Sequence, residues 1–401
     1  MDILELVKDI SKPSPSKIVL VVIDGLGGLT NPQTGKTELE TANTPNLDRL
    51  AAEGNCGLID PVSPGITPGS TPGHLALFGL DPVTYNIGRG ALEAIGIDFD
   101  LQLEDVVARG NFCTINKAGV ITDRRAGRIT SEKCVELCQL LDGLRVDNVQ
   151  LIIRPVKEHR FIAVFRGEGL ASGVTDSDPQ QTGLKPKEIT PLSPPAERMA
   201  GIANRFIAQA KSILSKHHPA NMILLRGFSK RPLFPTMADV YKLKAAAIAT
   251  YPMYRGLAKL IGMEVLNTGS TIEDELATLK QHYARYDFFF LHIKQTDAAG
   301  EDGDFDLKVK ILEQIDAALS SLIALNVDVI VVTGDHSTPA MLKGHSWHPV
   351  PILLHSRWCR PDGVKKFSES TCRTGGLGRI SAIHVMPLAM ANALKLEKFG
   401  A

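Results

Sequence analysis

The sequence predicts an α/β protein, a mostly parallel sheet with helices on both faces, plus a smaller inserted α+β domain. Three observations point there. Apolar, β-branched runs end in polar residues at Ile18–Ile23 (IVLVVI, then Asp24-Gly25), at 287–292 (DFFFLH) and at 327–333 (VDVIVVT). Unbroken apolar runs of strand length belong to strands buried on both faces, as in a parallel sheet covered by helices. A strong helical stripe from Ile311 to Leu325 separates the last two runs, which fits a strand–helix–strand order with chemistry at the strand C-termini. Between about Asp98 and Leu233 the pattern changes to shorter strands with turns, so the expected domains are 1–97 with 234–401, and an insert at 98–233.

Taken in order, Met1 to Ile10 reads as a short amphipathic helix with acids in it. It lacks the basic, apolar, small-residue order of a signal peptide. Thr44 is suited to cap a helix whose first position is Pro45, with Leu47, Leu50 and Ala51 as its buried stripe. Within the insert, strands are expected over 111–128, 149–156, 161–167 and 221–226. A Pro-rich stretch at 177–195 precedes a helix over 196–216.

The chain has 401 residues and no formal net charge, and it is poor in aromatic residues. A nucleic-acid or anionic-membrane binder is normally basic. No apolar run approaches the roughly 20 residues of a membrane helix. Six cysteines in a chain this long do not suggest a disulfide framework, and a cytoplasmic location is expected. Cys134 and Cys138 share a helix face, where a core role beside Leu137 and Leu141 competes with a metal pair.

The candidate chemistry is dispersed over short segments. Asp24 ends the first strand. Ser70 lies in TPGSTPGH, a turn that opens a helix. Asp297 and Glu301 follow DFFFLH, Asp335 and His336 follow VIVVTG, and His345 lies in KGHSWHPVP. Carboxylates and imidazoles gathered from several strand ends suit two divalent cations of the manganese or zinc kind. Such ions about 4 Å apart clamp the attacking and leaving oxygens of a displacement at phosphorus. Ser70 is then the nucleophile, and a helix N-terminus beside it favours phosphate. Each segment also has a plainer reading. Ser70 can simply cap its helix, and His74 can be a helix histidine packed on Phe78. Asp302, Asp304, Asp306 and Glu313 have calcium-loop spacing, but Leu307 stands where the sharp turn needs glycine.

The segments VVIDGLG, TPNLDRLAAEG, GSTPGHLALFG, DRRAGRI, NMILLRG, HIKQTDAAGEDGDF, TGDHSTP and HSWHPVP occur in the order found in archaeal-type cofactor-independent phosphoglycerate mutases. The chain resembles that family over nearly its whole length. The resemblance implies an alkaline phosphatase-like domain holding two metals and a smaller domain that closes over the substrate. It implies Asp24, Ser70, Asp335 and His336 around one ion, with Ser70 becoming phosphorylated, and Asp297 and His345 at the other. The family usually carries a histidine four residues after the Asp297 position. Here that residue is Glu301, a harder ligand. Manganese is the expected metal, with magnesium, zinc and cobalt as alternatives.

The implied substrate is a phosphoglycerate, which calls for guanidinium donors. Asp123 and Arg124 of DRRAGRI match the family's substrate loop, and Arg226, Arg255, Lys294 and His74 are further substrate-binding candidates. The implied reaction is 2-phosphoglycerate to 3-phosphoglycerate interconversion through a phosphoserine. The rivals are a phosphatase or phosphonate hydrolase of the same superfamily, and a metal-binding homologue that has lost turnover. No nucleic-acid or membrane partner is expected, and the oligomeric state is left open.

Overall fold

The computed structural model describes residues 3–400, which divide into two compact units, 3–86 with 234–400, and 87–233. In chain order the strands are β1 (Ile18–Ile23) and β2 (Asn55–Asp60). Next come β3 (Val106–Ile115), β4 (Ile121–Asp123), β5 (Arg145–Val146), β6 (Val149–Lys157), β7 (Arg160–Arg166) and β8 (Met222–Lys230). The last six are β9 (Ala245–Ala249), β10 (Glu264–Val265), β11 (Phe288–Ile293), β12 (Val329–Thr333), β13 (Val350–Ser356) and β14 (Gly378–Ser381).

The first unit holds an eight-stranded sheet in the order β10-β9-β11-β1-β12-β13-β2-β14. Its pairs are parallel except β12 with β13 and β13 with β2. This is the mostly parallel α/β sheet that the apolar runs predict. β1, β11 and β12 are buried at every residue, so their side chains carry no polar face and their chemistry is left to the ends. Register then does the positioning. Val22 lies opposite both His292 and Thr333. Asp24 therefore emerges between the turn after β11 and the turn after β12.

Thr44 precedes the helix Pro45–Glu53 without a side-chain cap bond. The orphan N–H groups there are met by Asp316, which accepts from Leu47 N at 2.7 Å and Asn46 N at 3.2 Å. A carboxylate from another helix has displaced the local cap. The helix Phe305–Ile323 begins earlier than its apolar stripe suggests, because Asp304 caps it through Leu307 N at 2.9 Å. That use of Asp304, and the bond from Asn43 N to Glu313 Oε1 (3.0 Å), leave the calcium-loop spacing as ordinary helix.

The second unit is built on antiparallel pairing, β4-β3-β7-β6-β5 with β8 beside β3. One face of this sheet and the helices Ser131–Leu141 and Glu197–Leu214 form its core, with Phe112, Phe161, Phe165, Leu137 and Phe206 at the centre. Cys134 and Cys138 belong to that core with sulfurs 4.0 Å apart, and all six cysteines are free. The unit begins at Ile87 rather than Asp98. The helix Arg89–Gly96 belongs to it because Ala91 N donates to Ser229 Oγ at 2.8 Å. Among the described residues no helix is long and apolar enough to cross a membrane.

Candidate functional site

In the first unit the polar strand ends converge. Asp24, Asp335 and His336 are fully buried, and one ligand atom from each lies within 4.8 Å of the others. His336 Nε2 is 3.3 Å from Asp24 Oδ1 and 3.2 Å from Asp335 Oδ2. Neither of these two carboxylate oxygens has a hydrogen-bond partner. Ser70 Oγ is 3.2 Å from the same nitrogen. The helix Ser70–Leu77 starts at Ser70 itself with Gly69 as its cap residue, so the hydroxyl is free of capping duty. That helix reaches the loop closely through Gly73, where a Cβ would stand 2.2 Å from Asp335 O.

Hydrogen-bond logic fixes the histidine faces. Thr338 Oγ1 donates its one proton to Asp297 Oδ1 (2.6 Å), so it accepts a hydrogen bond from His336 Nδ1–H at 2.9 Å. His336 Nε2 is then an unprotonated lone pair aimed at Asp24, Asp335 and Ser70. His345 Nδ1 donates to Pro68 O at 2.9 Å, which turns its Nε2 toward Asp297 Oδ1, 3.5 Å away. Asp297, His336 and His345 form a second close group. Because Nδ1 of His336 is spent on Thr338, we assign His336 to the first group. Glu301 is in neither group. It lies on the helix Gln295–Asp302, half exposed, with its carboxylate 3.8 Å from His345 Nε2.

The electrostatics suit a divalent cation. Burial and the neighbouring Asp24 raise Asp335 well above the usual carboxylate range. Burial also works to raise Asp24, but His292, His336 and Lys294 outweigh it and hold Asp24 well below that range. Burial keeps His336 neutral. Two buried carboxylates facing a neutral imidazole, with orphaned oxygens and no thiolate among them, fit a hard or borderline divalent ion.

Further residues surround this centre, and Tyr254 among them is not one the sequence singles out. Tyr254 donates to Asp24 Oδ2 at 2.5 Å and stacks on His292 with ring centroids 3.7 Å apart. His292 Nε2 is itself 3.2 Å from Asp24 Oδ2. Thr296 donates to Asp24 O at 2.5 Å. The one signal for His292 is its place as the last polar residue of a buried strand. His74 donates from Nδ1 to Ser70 O at 2.8 Å and lies 3.2 Å from Asp335 Oδ2, and burial lowers its pKa to about 4. It lies beneath the cluster rather than beside open space. Lys294 bridges Asp24 (3.2 Å) and Asp297. Arg255 is drawn away, donating to Ala249 O and Leu266 O at 3.3 and 3.4 Å.

The second unit has its own polar site, on the sheet face opposite its core. A cavity of about 470 Å³ is lined by Arg109, Arg124, Arg125, Arg128, Arg160 and Arg226, with Glu158 as the one acid. Strand register assembles it. Arg109 pairs with Arg226 across β3 and β8, and Asn111 pairs with Arg160 across β3 and β7. Like charges opposite one another are destabilising. The Nε atoms of Arg109, Arg160 and Arg226 are buried without partners. Burial, with Arg226 and Arg160 adding to it against the counter-pull of Glu93, lowers Arg109. Such a cavity calls for an anion. Arg124 joins the lining while forking onto Asp178 at 3.0 and 2.6 Å. Asp123 is spent on its own turn, accepting from Arg125 N at 2.8 Å and Gly127 N at 2.6 Å.

The family model described as 2,3-bisphosphoglycerate-independent phosphoglycerate mutase matches residues 51–221. A Thermotoga petrophila protein named "Probable 2,3-bisphosphoglycerate-independent phosphoglycerate mutase" is 51% identical over 399 residues, covering 99% of each chain. Among solved structures, a Pyrococcus horikoshii protein superposes with a TM-score of 0.81 at 30% identity, over 98% of this chain and 100% of its own. The cofactor-independent phosphoglycerate mutase of Thermoplasma acidophilum gives 0.76 at 32% identity, over 94% of this chain and 100% of its own.

Proposed function

This chain belongs to the 2,3-bisphosphoglycerate-independent phosphoglycerate mutase family, and from that premise we propose that it interconverts 2- and 3-phosphoglycerate through a phosphoserine at Ser70. The observation that carries the proposal is the convergence of Ser70 Oγ, two orphaned carboxylate oxygens and the bare His336 Nε2.

Asp24, Asp335, His336 and Ser70 would hold one divalent ion, and Asp297, His345 and Glu301 the other. Manganese suits this oxygen and imidazole set. Bound there, such ions lower the pKa of the serine hydroxyl and neutralise phosphoryl oxygens. The chain's own groups do the rest. Ser70 Oγ gives up its proton and attacks phosphorus, its bond to phosphorus forms as the bond from phosphorus to the substrate oxygen breaks, and that oxygen takes up the proton released. The helix Ser70–Leu77 begins at Ser70 without a side-chain cap bond, so the N–H groups of its first turn would be available to phosphoryl oxygens. Lys294 adds a fixed positive charge between Asp24 and Asp297, and Asp24 and Asp297 hold its pKa up against burial. The other hydroxyl of glycerate then attacks phosphoserine and carries the phosphoryl group away. The arginine cavity of the second unit, lined by Arg109, Arg160 and Arg226 among others, suits an anionic group such as a phosphorylated acid carries.

The test is incubation with 3-phosphoglycerate and Mn²⁺, with 2-phosphoglycerate and free phosphate measured separately. A mutase gives 2-phosphoglycerate with little phosphate. Phosphate as the main product means that water takes the phosphoryl group and the protein is a phosphatase.

A further inference from the structure

Lys308 is fully buried on the helix Phe305–Ile323. Its ammonium donates to Gly25 O at 2.9 Å, Gly27 O at 3.1 Å and Thr338 O at 2.9 Å. An ammonium has three donors, so all are used, and all go to main-chain carbonyls. Those carbonyls belong to two loops. Gly25 follows Asp24, and Thr338 lies two residues after His336. Gly25 sits in the left-handed region at φ +67°, and its N–H donates to Asp335 Oδ1 at 3.2 Å.

Two carboxylates, one on buried Glu38 and one on partly exposed Glu369, complete the brace. Glu369 accepts from Gly28 N and from Thr37 Oγ1, each at 2.8 Å. Glu38 accepts from Ala340 N at 2.8 Å. One cation and two anions thus grip the backbones of both loops from beneath. Burying an ammonium costs several kcal/mol unless it is fully compensated. An apolar side chain would fill a purely structural position at lower cost.

We infer that Lys308 is a positioning residue for the metal centre, tying the Gly25–Gly27 and Thr338 backbones together and so fixing the spacing of Asp24 against Asp335 and His336. The inference rests on the proposed reading of those three residues as ligands. It does not make Lys308 touch substrate or metal.

The test is calorimetric titration of Mn²⁺ into the wild type, Lys308→Met and Asp24→Ala, with thermal unfolding of each. Loosening a support of metal ligands typically costs about 10- to 100-fold in affinity. Lys308→Met is expected to bind Mn²⁺ more weakly by that factor while folded, with kcat largely recovered at saturating Mn²⁺. A lowered Tm with unchanged Mn²⁺ affinity overturns the inference, because Lys308 would then only stabilise the fold. If Lys308→Met does not fold, Glu369→Gln is titrated instead. It weakens the grip on Gly28 at constant volume, and unchanged affinity there overturns the inference equally. Should Asp24→Ala bind Mn²⁺ as well as the wild type, the ligand reading itself has failed, which the Lys308 result alone does not imply.

Discussion

Asp24 Oδ1 and Asp335 Oδ2 in the first unit are buried acceptors without donors, whereas Arg109 Nε, Arg160 Nε and Arg226 Nε in the second are buried donors without acceptors. The two sites are also assembled differently. The first is drawn from strand ends, where parallel register brings the turns after β1, β11 and β12 level. The second lies on the flank of an antiparallel sheet, where cross-strand pairing sets arginine against arginine. Buried polar groups are rarely left unpaired without a reason. The contrast teaches that one site is short of cations and the other short of anions, and a metal ion and a phosphorylated acid would meet those two needs separately.

That separation can be broken experimentally. The largest effect is expected at the metal centre. Asp335→Asn removes a ligand charge and should lower mutase activity by about a thousandfold or more, with loss of one bound metal equivalent. Full metal content by elemental analysis with full activity would remove Asp335 from the site. In the second unit, Arg109→Met should raise KM for phosphoglycerate by about 10- to 100-fold, the scale of a lost charge-assisted hydrogen bond. Mn²⁺ affinity and hydrolysis of a small aryl phosphate should not change. Parallel losses in all three readouts would mean that the two sites are not separable.

Glu301 sharpens the comparison, since it is more exposed than His345 beside it. Glu301→Ala should weaken one of two Mn²⁺ binding steps by about tenfold and leave the other intact. Two unchanged steps in a calorimetric titration would show that Glu301 is not a ligand.

The smallest effect concerns protons in the arginine cavity. Burial, reinforced by Arg160 and other neighbouring arginines, lowers His159 to about 4. Between pH 6.5 and 4 the unfolded chain therefore binds a proton that the folded chain does not. Stability falls as pH drops through that window and levels off below it. His159→Gln should flatten this part of the curve, by on the order of 1 kcal/mol after allowing for solvent screening. An unchanged pH dependence of unfolding would place the imidazole outside the field of the arginines.

The same contrast explains what was legible in the sequence. Asp24, Asp335 and His336 stand directly after apolar runs, and Ser70, Asp297 and His345 lie in short contiguous motif segments, so local pattern exposes them. Arg109 and Arg160 lie inside strands, and only register brings them to Arg226, which no local pattern encodes. Tyr254 and Lys308 were hidden for a related reason. Each comes from a helix distant in sequence and acts through one atom, on Asp24 or on loop carbonyls. The helix at Pro45 shows the limit from the other side. Thr44 stands at the cap position the sequence predicts, but its side chain makes no cap bond and Asp316 supplies one instead. The insert boundary shifted to Ile87 because a helix that reads equally well in either unit is held by Ser229.

The central claim is that Ser70 carries the phosphoryl group between the two substrate positions. Protein incubated with ³²P-labelled 3-phosphoglycerate and Mn²⁺, quenched in acid and digested, tests it most directly. The account predicts label on the peptide containing Ser70 and on no other serine, label recovered in 2-phosphoglycerate, and neither in Ser70→Ala. Because Ser70 makes no cap bond, that variant should also keep the wild-type Tm. Labelled 2-phosphoglycerate formed by folded Ser70→Ala at the wild-type rate would contradict the account.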